Sequence, residues 1–408
     1  MSSEVARQPI NILFLTLAWP ENSEHNLYTD LMDEFLANGH TVYVVAARER
    51  RIGKDTEYCA KKNLHVLRVK CGNIQKAGPI EKGLSSVLLG HQMQASIKKH
   101  LSKVSFDLVI YSTPPITLAG TVKALKKKHD AKTYLLLKDI WPQGPTDMGA
   151  IRQNGLIWTY FRRKEKFLYK ISDHIGCLSP ANIRYVLEHN RELCSRKVEE
   201  CPNSIRPREH KPVDVQQVRK KYGVPEGTTV FLFGGNLGKP QGVEFLLDAA
   251  ESMLDKEDVF FLIVGSGTEY WAIKDAMVER GLKNMMLLER LHTSDYEELC
   301  GASDVGLILL DRRFTIPNFP SRLLSYLDVG MPVICATDDI CDVGDIVEEW
   351  NCGIKTLHGD LNGFVSAIDR LAKDSDLRMN MSQNARRLLE ERYTARHSYE
   401  IIMKHFDD

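Results

Sequence analysis

The sequence predicts an α/β protein made of two Rossmann-like domains in series, and three observations lead there. Short apolar runs alternate with amphipathic segments through the first half. The same alternation restarts after a proline-rich connection, and glycine turns follow several of the apolar runs. A length of 408 residues suits two or three ordinary domains.

Taken in order, INILFLTL reads as a strand, Leu27 to Ala37 as a helix by its apolar spacing, Gly39-His40 as a stop and TVYVVAA as the next strand. A basic, partly apolar stretch at 79–101 follows, then a strand at FDLVIYST, a helix at 116–128 and a strand at TYLLLKD. Repeats of this kind imply a parallel sheet with helices on both faces. CPNSIRPREHKP places three prolines between Cys201 and Pro212, which suits a connection and puts the end of the first domain at residue 205. Beyond it come TVFLFGG, a helix at 242–253, VFFLIVGSG, a helix near 269–280, MMLLER, a helix at 294–301, DVGLILL, a helix at 320–328 and PVICAT. These make a second domain over 206–385. A long helical tract runs from Leu377 to Phe406, and its part from residue 386 to 408 is expected to cross back to the first domain. Two α/β domains in series leave a cleft between them, where ligands of such architectures bind.

Composition excludes several classes. With 43% hydrophobic and 26% charged residues the chain is expected to be soluble and globular. No run of about 18 apolar residues suggests a membrane span, and the opening reads as a first strand, not a signal peptide. Nine scattered cysteines without a Cys-x-x-Cys pair point to reduced thiols in a cytoplasmic protein, and no metal site is expected. Net charge is zero, yet residues 1–205 hold 30 Lys+Arg against 20 Asp+Glu and the remainder 24 against 34. Either the two halves attract across the cleft, or the basic half meets an anionic surface. Interleaved aromatic and basic repeats are missing, so nucleic acid is not an expected partner.

Three local patterns carry chemistry. Gly234-Gly235-Asn236-Leu237-Gly238 follows a strand and precedes a helix expected to start near Gln241-Gly242. Exposed amides there form either a phosphate site or a structural turn. Gly265-Ser266-Gly267 is a second glycine turn, without the third glycine of a dinucleotide fingerprint. Phe319-Pro320-Ser321-Arg322 places a proline and a candidate cap, Ser321, at a helix start, with Arg322 in the first turn. A cation is disfavoured there by the helix dipole, so Arg322 calls for an anionic partner or an ion pair within the domain. Because the three turns follow strands of one domain, they should converge on one rim.

GGNLGKPQGVEFLLDAA, FFLIVGSGTE, LERL, FPSRLLSYLDVGMPVIC, CPNSI and LKDIWPQ together resemble retaining GT-B glycosyltransferases of family 4. Among these, the look-alikes are the bacterial, fucosamine-transferase-like amino-sugar transferases that assemble O-antigen and capsule. The resemblance implies a GT-B fold with two facing Rossmann-like domains and a central cleft. It implies transfer of a sugar, of the N-acetylated amino-sugar class, from a UDP-linked donor with retention of configuration. It implies no cofactor or metal beyond the UDP-sugar co-substrate, since helix termini and basic side chains neutralise the diphosphate.

On matching positions, Gly235, Asn236, Gly238, Lys239 and Gln241 would face the donor phosphates, with Ser321 and Arg322 at the diphosphate. Gly265, Gly267, Arg290 and Leu291 would form the nucleotide floor. Asp139, Trp141 and Pro142 would stand at a strand end of the first domain, facing the cleft. Lys239 and Arg322 would stabilise the departing diphosphate and Asp139 would orient the acceptor, unless it is a capping residue. The wider family carries two glutamates with seven residues between them, which fall at Pro317 and Ser325 here, so Ser325 replaces a ribose-gripping carboxylate. Lys138 stands where many relatives have histidine.

The same resemblance gives the basic half a use. Lys98, Lys99, Lys126, Lys127, Lys128, Arg162, Arg163, Lys164 and Lys166, with Trp158, Phe161 and Phe167, would bring the protein to the inner face of an anionic cytoplasmic membrane bearing a lipid-linked acceptor glycan. Solvated helix faces account for the same residues. A sugar-nucleotide epimerase and a catalytically inactive donor-binding subunit are the rival readings. Asp374-Ser375-Asp376 mimics the metal motif of the other glycosyltransferase fold, in a polar break between helices.

Overall fold

The computed structural model describes residues 8–22, 24–75, 77–210 and 212–406. Residues 1–7, where a leader was not expected, and 407–408 of the C-terminal tract lie outside the described residues. The chain forms two compact units, one up to Arg206 together with the residues from Ala395 on, the other from Pro207 to Thr394.

The first unit holds β1 (Asn11–Thr16), β2 (Thr41–Glu49), β3 (Glu57–Lys61), β4 (Leu64–Cys71), β5 (Leu108–Ser112), β6 (Lys132–Leu137), β7 (His174–Cys177) and β8 (Val198–Glu200). They form one sheet in the order β3-β4-β2-β1-β5-β6-β7-β8, parallel throughout except where β3 runs antiparallel to β4. Every residue of β5 is buried, as a parallel strand covered on both faces requires. Helix Leu27–Ala37 starts at Asn26, whose side chain accepts from the amides of Tyr28 and Thr29 at 2.8 and 3.1 Å. Thr29 Oγ1 in turn accepts from the Asn26 amide at 2.7 Å, which makes the cap reciprocal. Leu31, Met32 and Phe35 on its inner face join Ile12 and Phe14 in the core.

The second unit holds β9 (Thr229–Asn236), β10 (Val259–Ser266), β11 (Met285–Leu288), β12 (Val305–Leu309), β13 (Val333–Thr337) and β14 (Gly353–Leu357), in the order β11-β10-β9-β12-β13-β14 and all parallel. Phe231, Phe233, Phe261 and Ile263 are fully buried between the sheet and the helices Glu244–Ser252 and Leu361–Lys373. With all strands parallel, their C-terminal ends share one rim, and the glycine turns sit there.

The C-terminal tract differs from a single crossing helix that begins at 386. Helix Ser375–Arg392 stays in the second unit, where Leu388 and Leu389 are buried and Tyr393 packs on Phe319 with ring centroids 5.8 Å apart. The return begins at Ala395, whose amide donates to the Ile205 carbonyl at 2.8 Å. Helix Ala395–Met403 then buries Tyr399, Ile402 and Met403 in the first core, with Tyr399 edge-on to Phe35 at 5.0 Å. Periodicity cannot see this break, because the apolar stripe continues while the core it faces changes.

Candidate functional site

β9 and β10 pair in register, so that Gly235 lies beside Gly265 and Asn236 beside Ser266. The approach is too close for side chains: a Cβ on Gly265 would stand 1.9 Å from the Gly235 carbonyl oxygen, and one on Gly267 2.1 Å from that of Leu237. Leu237 donates its amide to Ser266 O at 3.0 Å and accepts from the Glu269 amide at 2.9 Å. The two glycine turns are therefore one interlocked structure. Gly235 itself has φ +124°, a conformation that favours glycine.

The loop after Gly238 departs from expectation. A 3₁₀ turn, Lys239–Gln241, leads to Gly242 at φ +57°, and the helix begins only at Glu244. Gln241 Oε1 accepts from Asn236 Nδ2 at 3.1 Å and from the Gly238 amide at 3.2 Å. Gln241 thus spends its carbonyl on holding the loop, and the amides of Gly238, Gln241 and Gly242 are bonded internally instead of facing a phosphate. Gly242 must be glycine because a Cβ there would fall 2.2 Å from His358 Nε2. Lys239 is exposed on this turn.

Helix Arg322–Asp328 begins without a side-chain cap, contrary to the role expected of Ser321. Ser321 has φ −64° and ψ −17°, a helical conformation that keeps its hydroxyl off the following amides. Arg322 lies over the Phe233 ring, its Cζ 4.2 Å from the centroid, and a side chain on Gly235 would start 3.7 Å from that Cζ. Its Nη1 is buried and has no hydrogen-bond partner, and no carboxylate pairs with it among the described residues. Burial pulls its pKa below the ordinary arginine value, with Tyr326 and Tyr296 opposing. A guanidinium stays charged nonetheless. Stacking on Phe233 offsets roughly 1–2 kcal/mol of the cost of shielding it, against several for an ion without a counter-charge. Ser325, one turn along, is partly buried and does not line the neighbouring pocket.

That pocket, about 390 Å³, is lined by Gly235, Asn236, Gly265, Arg290 and Leu291 from the expected set, and by Val264, Ser266, Thr293 and Tyr296. Gly238, Lys239, Gln241, Gly267, Ser321, Arg322 and Ser325 are not in its lining. Thr293 and Tyr296, on helix Thr293–Gly301, are additions that periodicity hides, since Tyr296 reads as an ordinary core aromatic. Its hydroxyl is buried without a hydrogen bond, and it explains Gly234, whose Cβ would meet it at 1.9 Å. Tyr326 accepts from the Gly234 amide and donates to Leu232 O, both at 3.1 Å, tying the helix of Arg322 to β9. A larger hollow of about 1020 Å³ in the same unit holds none of the expected residues. Its charges satisfy each other: Asp328 takes His210 at 2.9 Å and Arg386 at 3.0 Å.

In the first unit Asp139 follows β6. Thr113 Oγ1 donates to its carbonyl at 3.0 Å and accepts from its amide at 3.2 Å. Burial pushes the Asp139 carboxyl up to about 6, eased by the Ile140 amide and the charge of Lys82. Helix Gln143–Asp147 takes no side-chain cap, so the capping alternative for Asp139 does not hold. Trp141 packs edge-on against Phe161 at 4.9 Å. Lys138 donates to Pro202 O at 3.3 Å, and burial lowers its pKa to about 8.

Several cations expected on a docking face are engaged within the fold. Lys126 bonds Asp173 at 2.5 Å, Lys166 pairs with Glu192 at 3.0 Å, and Arg162 bonds Glu165, Asn190 Oδ1 and His189 O. Arg163 is exposed beside Leu156 (92% exposed), Ile157 (62%) and Tyr160, with Lys164 over the Tyr160 ring. Asp374 caps helix Ser375–Arg392 through the Leu377 amide at 2.8 Å, which accounts for the Asp-Ser-Asp string.

The sequence profile of the family described as Glycosyl transferases group 1 matches residues 214–388. That match lies within the second unit. The matched residues contain the interlocked glycine turns, the pocket lining and Arg322. "Probable glycosyltransferase WbjE" of Pseudomonas aeruginosa is 24% identical over 257 residues, 60% of this chain and 62% of the relative. "Putative colanic acid biosynthesis glycosyl transferase WcaI" of Escherichia coli (strain K12) is 24% identical over 252 residues, 60% of each chain. The chain thus spans about three fifths of the length of these curated relatives. HepE of Anabaena, solved in complex with UDP, aligns with TM-score 0.71 at 15% identity over 97% of this chain and 99% of its own. The fold is GT-B, with two Rossmann-like units. Among the described residues no helix is long and apolar enough to cross a membrane.

Proposed function

We propose that the protein is a glycosyltransferase that moves a sugar from a UDP-linked donor to an acceptor, with retention of configuration. The observation that carries this reading is the Arg322 guanidinium, shielded from water beside Gly235 and lacking a counter-charge among the described residues. A donor diphosphate supplies that charge, and the 390 Å³ pocket next to it, with Arg290, Leu291, Thr293 and Tyr296, has room for a nucleoside. HepE holds UDP on the same fold.

In this reading the bond between the anomeric carbon and the diphosphate breaks while the acceptor oxygen bonds the same face, and its proton passes to the leaving diphosphate. Arg322 and the exposed Lys239 stabilise the charge that develops on the diphosphate, and Asp139 orients the acceptor. No metal or further cofactor takes part. The sequence resemblance favours an N-acetylated amino sugar as donor class and a lipid-linked glycan as acceptor, and the Escherichia relative is named for colanic acid biosynthesis. Leu156, Ile157 and Tyr160, with Arg163 and Lys164, form the face that meets the anionic cytoplasmic membrane.

Titration calorimetry with UDP, followed by a transfer or donor-hydrolysis assay against a panel of UDP-sugars, tests the reading. Micromolar UDP binding that Arg322→Ala weakens tenfold or more is expected, together with release of UDP from one donor. Equal UDP affinity in the variant and the wild type overturns it. Binding without turnover of any donor would instead favour an inactive donor-binding subunit, for which Pro317 and Ser325 in the places of the family glutamates are the sequence argument.

A further inference from the structure

Outside the residues described so far, the first unit gathers three groups that no motif joins. β7 begins at His174, β8 contains Glu199, and the last described turn, Lys404–Phe406, lies against them. The imidazoles of His174 and His405 stack with centroids 3.5 Å apart and planes 16° off parallel. His405 Nε2 and Glu199 Oε1 share a hydrogen bond of 2.8 Å. One nitrogen or oxygen from each of the three residues lies within 4.8 Å of the other two, and all three residues are partly buried. His174 Nδ1 is buried with no hydrogen-bond partner.

We propose that His174, Glu199 and His405 bind a divalent transition metal, zinc foremost, which clasps the C-terminal turn to the edge of the first sheet. Two imidazole nitrogens and a carboxylate are a common zinc set, leaving the fourth position to water. The ion takes the place of the proton between His405 Nε2 and Glu199 Oε1, and one ring nitrogen of His174 joins them. Ligand atoms around tetrahedral zinc sit ~3.3 Å apart, from bonds of ~2.0 Å, so the three side chains draw together and the two imidazoles turn out of their parallel stack to point their ring planes at the ion. Tyr134 Oη donates to Glu199 Oε1 at 2.8 Å and orients it from outside the ligand set. Lys404 Nζ, 2.5 Å from Glu199 Oε2, competes with the ion. Glu199 and His405 are 206 positions apart, so the clasp closes a loop through the entire second unit, and closures of long loops constrain the unfolded chain most.

The test uses the full-length, tag-free, chelator-treated protein, titrated with Zn²⁺ by calorimetry and with Co²⁺ by visible absorption, alongside melting curves. One equivalent bound at micromolar Kd is expected, with a melting temperature raised by several degrees. His174→Ala and His405→Ala should each weaken binding tenfold or more. No saturable binding near one equivalent, or binding that survives the double variant, overturns the clasp. Should the alanine variants not fold, Lys404→Ala decides at an exposed position: severalfold tighter Zn²⁺ binding supports the site, and unchanged affinity overturns it.

Discussion

Arg48 in the first unit and Arg322 in the second both carry a guanidinium shielded from water, and their surroundings differ in kind. Arg48 donates to Glu21 through Nε and Nη2 at 2.9 Å each, to Glu57 at 2.7 Å and to the Asp55 carbonyl at 2.7 Å. Those hydrogen bonds to Glu21 and Glu57 outweigh its burial, so its pKa is raised. Arg322 has an aromatic face and two tyrosines, with Nη1 unbonded, and its pKa is lowered by burial. In one unit the fold completes the arginine, and in the other no carboxylate among the described residues does so. Buried charge is thus informative only together with its partners.

Exchanging both arginines for alanine breaks this contrast most directly. Arg322→Ala should lower turnover on the order of a hundredfold while leaving denaturant stability unchanged or slightly raised, since no carboxylate is stranded. Arg48→Ala should do the reverse, costing about 2–3 kcal/mol of stability with UDP affinity intact; the loss is held down because Glu21 and Glu57 remain partly in water. Equal stability losses in urea unfolding would erase the distinction.

A pair of glycines sharpens it. Gly265→Ala must push the Gly235 carbonyl away and is expected to weaken UDP binding about tenfold by calorimetry. Gly120→Ala, on the helix Ala119–His129 with nothing within 4 Å, should stabilise by about 0.5–1 kcal/mol and leave UDP binding alone. The smallest effect concerns Asp139, whose carboxyl is raised from 3.8 to about 6. The folded chain holds that proton more tightly than the unfolded one, so the group costs stability as pH rises from about 4 to 6 and throughout the range above. Asp139→Asn should therefore raise the melting temperature by a few degrees at pH 7.5 and not at pH 4, while lowering turnover severalfold. In the wild type, turnover should fall as pH drops through about 6.

Much of the second unit was legible before any coordinates. TVFLFGG, VFFLIVGSG, DVGLILL and PVICAT all became strands, and the helices between them began within two or three residues of their expected starts, because fully buried parallel strands are continuous apolar runs. β3, β4, β7, β8 and β14 escaped notice. β3 is exposed along its whole length and β7 and β8 have four and three residues, so pairing with a neighbouring strand creates them where apolar content does not. Of the site, the glycines and Arg322 could be named as residues, but the internal roles of Gln241 and Gly242 could not.

By itself the sequence determined two α/β units, the connection after Cys201, a glycine-rich rim and an arginine at the head of a helix, because each depends on residue types within a few positions of one another. Only tertiary structure decided that Gly234 makes room for Tyr296, that Arg322 is left without a carboxylate, that the C-terminal tract changes units at Ala395, and that His174 stacks on His405. Each of these is a contact between distant positions, and such contacts are set by how elements pack and not by the order in which residues follow one another.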